Sequence, residues 1–343
     1  MSKNIYYYYS DKIETLKDIF GTQNIKIDID KIKVDDIEYP IIDDVIILLK
    51  EEYIPIEIKN KIKLTKTISK SKNDNFANDT FAKDIQFTFS KEWEKFPEIL
   101  PEHEKEFNLY FDLIDTNSLS QMRVADFGCG IGRWSYFLKD KVKEIILLDF
   151  SMSIFIARKN LREAKNALFF MADIKDLPFR ENFADFIFSL GVLHHLETDA
   201  LEEIKKISKY SNKLLIFLYY KLDNRPYIWQ YLLYIITAIR KILCRTRNEK
   251  IRMFITYLFL FTIYIPLIYL GKLLNIFGLG KYIPLYDFYH NKSLKRIAQD
   301  VYDRFFTRIE NRYSKNDIMK LKEYFKNIKI SENLPYWHFI CEK

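Results

Sequence analysis

Val124-Ala-Asp-Phe-Gly-Cys-Gly-Ile-Gly132, followed at once by Arg133-Trp-Ser-Tyr-Phe-Leu-Lys139, is the stretch from which the rest of this chain can be read. A short apolar strand ends in an acid, Asp126. Glycines hold three alternate positions, and an amphipathic helix begins without a spacer. Gly128, Gly130 and Gly132 permit positive φ and let the backbone approach a ligand with no Cβ in the way. Free N–H groups at the helix start favour an anionic group such as a carboxylate. Asp126, just before the turn, suits a ligand that also carries cationic character. The spacing is G-x-G-x-G, not the G-x-G-x-x-G of dinucleotide sites.

Three further elements follow in order. Glu144-Ile-Ile-Leu-Leu-Asp149 ends in an acid placed to accept hydrogen bonds from two ribose hydroxyls. Ala167-Leu-Phe-Phe-Met-Ala-Asp173-Ile174 carries another, suited to an exocyclic amine such as that of adenine. Phe183-Ala-Asp-Phe-Ile-Phe-Ser-Leu190-Gly-Val-Leu-His194-His195 supplies a fourth strand and a loop bordering the reacting centre. His194 and His195 are the best-placed titratable pair for a general base. Open α/β sheets bind ligands at the carboxyl ends of their strands, where all four elements end. Between residues 87 and 220, strand-length apolar runs alternate with helical patterns, implying βαβ units and a parallel sheet.

Composition narrows the function classes. The chain has 343 residues, 48% hydrophobic and 16% aromatic, ample for a large core and incompatible with global disorder. Its formal charge of +7 comes from scattered lysines, which describes a solvated surface. A nucleic-acid footprint would be a concentrated basic stripe, so nucleic acid is not the expected partner. Cys129, Cys244 and Cys341 are far apart, which excludes a Cys-based zinc site and argues against a disulfide scaffold. No metal is expected. The N-terminus lacks the apolar segment and cleavage site of a signal peptide, so the expected compartment is the cytoplasm.

Asp-Phe-Gly-Cys-Gly-Ile-Gly, Leu-Leu-Asp-Phe-Ser, Ala-Asp-Ile-Lys-Asp-Leu-Pro-Phe and Leu-Gly-Val-Leu-His-His-Leu resemble the successive motifs of class I S-adenosylmethionine-dependent methyltransferases. They resemble especially the small-molecule group that includes the quinone-biosynthesis type. The resemblance covers residues 87–220, and the terminal hairpin from Ile328 to Lys343 fits the last two strands. It implies an α/β fold with a seven-stranded Rossmann-like sheet and S-adenosylmethionine as cofactor. Asp126, Gly128, Gly130 and Gly132 would hold the methionine moiety, Asp149 the ribose, and Asp173 with Ile174 the adenine. Met152 would lie against the adenine face, and Leu190 would border the cofactor. No Pro-Pro dipeptide follows the fourth strand and no Pro-Cys nucleophile is present. Both absences count against methylation of nucleic-acid bases.

Four stretches follow from these boundaries: 1–83, a β-rich module; 84–226, the cofactor-binding core; 227–290, an apolar helical insert; and 291–343, the end of the core. Within the first, Ile25-Lys-Ile-Asp-Ile, Ile32-Lys-Val and Val45-Ile-Ile-Leu-Leu carry a strand signal, and residues 69–80 read as a polar linker. The module is similar to the zinc-ribbon activator fused ahead of some methyltransferases, here without the metal-type cysteines. Trp93 is placed either over the cofactor cleft or in the core.

Residues 253–271 are uncharged, about the length needed to cross a bilayer. One crossing would separate the terminal hairpin from its sheet. Two would require residues 227–239 to span, and about 13 residues at 1.5 Å each are too few. The basic connector holding Arg240, Lys241, Arg245, Arg247, Lys250 and Arg252 would also have to be translocated. The insert therefore reads as a buried cap over an apolar pocket, or as a helix pair in the interface of an anionic membrane. Either favours a small hydrophobic or lipid-linked acceptor, methylated at oxygen or an activated carbon. The rivals are an inactive scaffold of the same fold and an RNA methyltransferase.

Overall fold

A computed structural model describes residues 8–65 and 80–343; the expected linker at 69–80 lies almost wholly outside them. Among the described residues, eleven strands form one sheet: β1 (Ile25–Ile27), β2 (Lys31–Val34), β3 (Ile37–Ile42), β4 (Val45–Ile47), β5 (Arg123–Phe127), β6 (Glu144–Asp149), β7 (Ala167–Met171), β8 (Phe186–Leu190), β9 (Lys213–Phe217), β10 (Asn327–Ile330) and β11 (His338–Glu342). Their order is β1-β2-β3-β4-β7-β6-β5-β8-β9-β11-β10. The seven strands from β7 to β10 form the expected Rossmann-like sheet. β7, β6, β5, β8 and β9 run parallel, and β11 inserts antiparallel between β9 and β10.

The central strands are apolar at every position because both sheet faces are covered. Val124, Ile145, Leu147, Phe169, Phe186 and Phe188 pack on one side. Their sequence neighbours Ala125, Ile146, Leu148, Phe170 and Ile187 pack on the other. This is the continuous apolar run of a doubly covered parallel sheet. Strand order reverses at β5, so its carboxyl end opens a crevice at the point where such sheets take ligands.

The N-terminal module is not detached from this sheet. β1–β4 form an antiparallel meander, and β4 then pairs parallel with β7, at Ile46 with Phe170 and Ile47 with Met171. The helix Thr80–Lys95 runs unbroken through the expected 83/84 boundary.

The insert is helical. Helix Tyr227–Leu243 has 17 residues, longer than the apolar core read from sequence. After the connector, Asn248 caps the helix Glu249–Phe259 by accepting from the N–H groups of Lys250 and Ile251. A π turn at Leu260–Tyr264 leads into Ile265–Leu274, absorbing Pro266, which has no N–H to give to the preceding turn. One stripe of this long run, including Leu260, Tyr264 and Ile268, packs against Ile297, Val301, Tyr302 and Phe305 of helix Leu294–Phe306. Arg252 is buried there, donating to the Thr246 carbonyl at 2.6 Å and the Tyr302 hydroxyl at 3.1 Å.

Candidate functional site

A cavity of about 740 Å³ extends from the glycine loop to the insert. Gly128, Gly130, Asp149, Asp173, Ile174, Leu190 and His195 all line it. The structure thus gathers seven of the sequence-derived residues on one surface. Gly132, Asp126, Met152 and His194 are not on its wall.

Backbone conformation explains the glycines. Gly128 has φ +80°, and a Cβ there would lie 2.6 Å from the Val192 side chain. Gly130 has φ +55°, and its Cβ would press the Trp93 ring at 3.2 Å. Trp93 thus lies over the loop and lines the cavity. Gly132 caps the following helix, and its open face is filled by Leu161 and Ala157, so its role is packing.

Asp149 ties the loop together. Its Oδ2 accepts the Gly130 N–H at 2.8 Å; its Oδ1 accepts from the Ser151 N–H at 2.8 Å and from the hydroxyls of Ser151 and Ser153 at 2.7 and 2.9 Å. Oδ2 keeps a lone pair for one further donor. Asp126 lies beneath the loop, 1% exposed, accepting from the Ser135 hydroxyl at 2.7 Å. Burial pushes its carboxyl up to about 8, opposed by the Ser135 hydrogen bond and reinforced by the charge of Asp149. It therefore holds its proton at neutral pH and supports the loop from below.

The histidine pair divides. His195 Nδ1 lies 2.6 Å from the Ile309 carbonyl, so it carries the donated proton and leaves the Nε2 lone pair available. His194 is fully buried, stacked on Tyr219 with centroids 3.9 Å apart, and burial holds its ring well below the ordinary histidine range. Met152 precedes helix Ser153–Asn160 and gives its N–H to Ser90 Oγ; its neighbour Phe150 lines the cavity instead.

Several wall residues lie outside the motifs. Tyr53, from the N-terminal module, sits 5.7 Å ring to ring from Phe150. Gln86 bridges them, donating to the carbonyls of Tyr53 and Phe150 at 3.1 and 2.8 Å. Glu92, on helix Thr80–Lys95, is buried with Oε2 lacking a donor, and burial pushes its carboxyl well up. Arg133 stacks over Trp134 and Trp93 at 4.3 and 5.4 Å, with Nη1 lacking an acceptor. The far half is roofed by apolar side chains of the insert, among them Leu233, Ile236, Phe259, Ile263 and Leu267.

Residues 124–210 match the family model described as a methyltransferase domain. The chain is 36% identical over 94 residues to an uncharacterized protein of Methanocaldococcus jannaschii, covering 27% of this chain and 39% of that one. It is 33% identical over 86 residues to phosphoethanolamine N-methyltransferase 3 of Arabidopsis thaliana, covering 24% of this chain and 18% of that one. The chain therefore spans less than two-fifths of the length of these relatives. Among solved structures, the magnesium protoporphyrin IX methyltransferase of Synechocystis is 20% identical with a TM-score of 0.35, over 43% of this chain and 80% of that one.

Proposed function

We propose that this chain transfers a methyl group from S-adenosylmethionine to the oxygen or activated carbon of a small hydrophobic or lipid-linked acceptor, while resting on a membrane surface. The carrying observation is that the glycine loop, Asp149, Asp173, Ile174 and His195 share one cavity with an apolar roof. The cofactor fits the loop: Gly128 and Gly130 leave backbone bare where a Cβ would meet Val192 or Trp93. Asp149 would accept from ribose hydroxyls through its open Oδ2 position, and Asp173 with Ile174 would frame the adenine, with Tyr53 and Phe150 adding apolar area. When bound, the sulfonium offers an electrophilic methyl group for in-line displacement, in which alignment supplies much of the acceleration. His195 Nε2 accepts the acceptor's proton, held in that tautomer by the Ile309 carbonyl.

Membrane contact rests on the outer face of the insert. Helix Tyr227–Leu243 turns Leu233 and Ile236 to the cavity, yet Tyr227, Tyr231, Tyr234 and Ile242 on its other side are exposed, Tyr227 at 87%. A helix apolar on every side needs a partner for each. Glu249–Phe277, 29 residues, is long and apolar enough to cross a bilayer, and only 22% of its most apolar window is buried. Crossing is disfavoured because Arg252, Thr256, Leu260, Tyr264 and Ile268 form a buried stripe along it. Their partner helix carries Lys295, Arg296, Asp300, Asp303 and Arg304, which would have to enter the bilayer too. Exposed Lys241, Arg245 and Lys250 flank the apolar face and suit anionic headgroups. The N-terminal strands serve as a metal-free scaffold that delivers Tyr53.

The test is transfer of labelled methyl from S-adenosylmethionine into a total lipid extract. Label should enter the organic-extractable fraction and fall at least tenfold with His195→Ala. Label confined to water-soluble or RNA fractions would overturn the acceptor class.

A further inference from the structure

We propose that the acceptor is an anionic amphiphile, its acidic group gripped by Arg304 and its apolar part lying under the insert helices. This rests on the cavity being the acceptor site of the reading above. Four arginines of the cavity wall besides Arg133 can be compared. Arg225 is paired with Asp287 at 3.0 Å, Arg296 with Glu106 at 3.0 Å, and Arg312 with Glu310. Arg304 lines the same wall and, among the described residues, makes neither a hydrogen bond nor an ion pair, and its Nε is buried without an acceptor.

The neighbours sharpen the point. Tyr264, Tyr289 and Tyr219 stand within electrostatic reach of Arg304. Two of these hydroxyls are committed elsewhere, Tyr289 to Asp300 at 2.9 Å and Tyr219 to Asp303 at 2.6 Å. Glu310 is also within reach, but its Oε1 serves Arg312, and its buried Oε2 has no donor. Arg304 is half-buried, its Nε orphaned and its remaining donors unused; an anion joining it satisfies them, and its planar fork matches a carboxylate or phosphate. On the same cavity wall, Phe259, Ile263, Leu267, Phe288 and Phe305 offer only apolar contact to the remainder of such a ligand. An acid with an alkyl or isoprenoid chain satisfies both demands. A neutral lipid would leave the guanidinium bare.

The experiment titrates the full chain by calorimetry with dodecanoate, dodecyl phosphate and dodecanol, each below its micellar concentration. At least one anion should bind about tenfold or more tighter than the alcohol, the scale of a hydrogen bond to a charged group. Which of the two binds tighter identifies carboxylate or phosphate. Arg304→Gln should reduce both anions to the alcohol's affinity while leaving S-adenosylhomocysteine binding unchanged. Equal binding of all three by the wild-type chain overturns the proposal, and needs no variant. So does an anion preference surviving in Arg304→Gln, which would mean that another cation of the same wall, such as Arg133, holds the acidic group. A chain that prefers the anions but ignores S-adenosylhomocysteine would contradict methyl transfer and leave Arg304 as an anion site without an acceptor role; one that binds S-adenosylhomocysteine but shows no anion preference would overturn this inference alone.

Discussion

Gly128 shows how much one residue decides here. Alanine at this position must adopt φ near +80° and place its Cβ 2.6 Å from Val192, so both backbone strain and a clash oppose it. Gly128→Ala should abolish measurable S-adenosylhomocysteine binding, and adding Val192→Ala should restore part of it; no rescue would mean that Val192 is not what fills the space. Asp126 gives a pH prediction. Between the ordinary carboxylate value of 3.8 and about 8, the folded chain keeps a proton that the unfolded chain has released. Stability without cofactor should therefore fall as pH rises through that window and level off above it. Asp126→Asn, still able to accept from Ser135, should flatten the slope of melting temperature between pH 5.5 and 8; parallel curves for the two proteins would contradict the assignment. At this scale the sequence was most informative where a residue sits in a local motif, as do Gly128, Gly130, Asp149 and Asp173. Tyr53, Gln86 and Glu92 reach the same wall from far upstream, and no local pattern marks them. The His194-His195 doublet is ambiguous in sequence because adjacent residues on a 3₁₀ turn face different ways, one under Tyr219 and one into the cavity.

At the scale of elements, the alternation of strands and helices from β5 to β9 follows from apolar period and turn chemistry, and it was legible. The pairing of β4 with β7 was not, because an edge partner is chosen by tertiary packing rather than by anything within Val45–Ile47. The insert's two-sidedness was harder to read: Leu233 and Ile236 line the cavity while Tyr227, Tyr231 and Tyr234 stand on the outer face, and since both faces carry large apolar side chains, the pattern does not say which of them meets the protein. The structure separates them, which permits a test. Phe254, Phe261 and Leu273 are exposed on the long helical run. Changing all three to Ser should cost no more than about 0.5 kcal/mol each in stability, yet should weaken binding to vesicles. Loss of the fold would show that this face is packed in solution, for instance against a second copy of the chain.

At the scale of the whole molecule, one sheet carries the crevice proposed for the cofactor, the insert roofs its far half, and the outer side of that roof is apolar with basic residues at its edge. Flotation with anionic vesicles should recover the protein at low salt and release part of it at high salt, as screening weakens about 1 kcal/mol per basic residue near the surface. Neutral vesicles should bind less. Retention through alkaline carbonate would contradict a peripheral position, and indifference to both vesicles would leave the insert as a roof alone. The central claim, however, is the cofactor crevice, and calorimetric titration of S-adenosylhomocysteine into the full chain and into Asp149→Ala tests it most directly. The wild-type chain should bind one equivalent, and the variant should bind more weakly by about 1.5–3 kcal/mol, the scale of hydrogen bonds to a charged group. No binding by the wild-type chain, or equal affinities for the two, would contradict it.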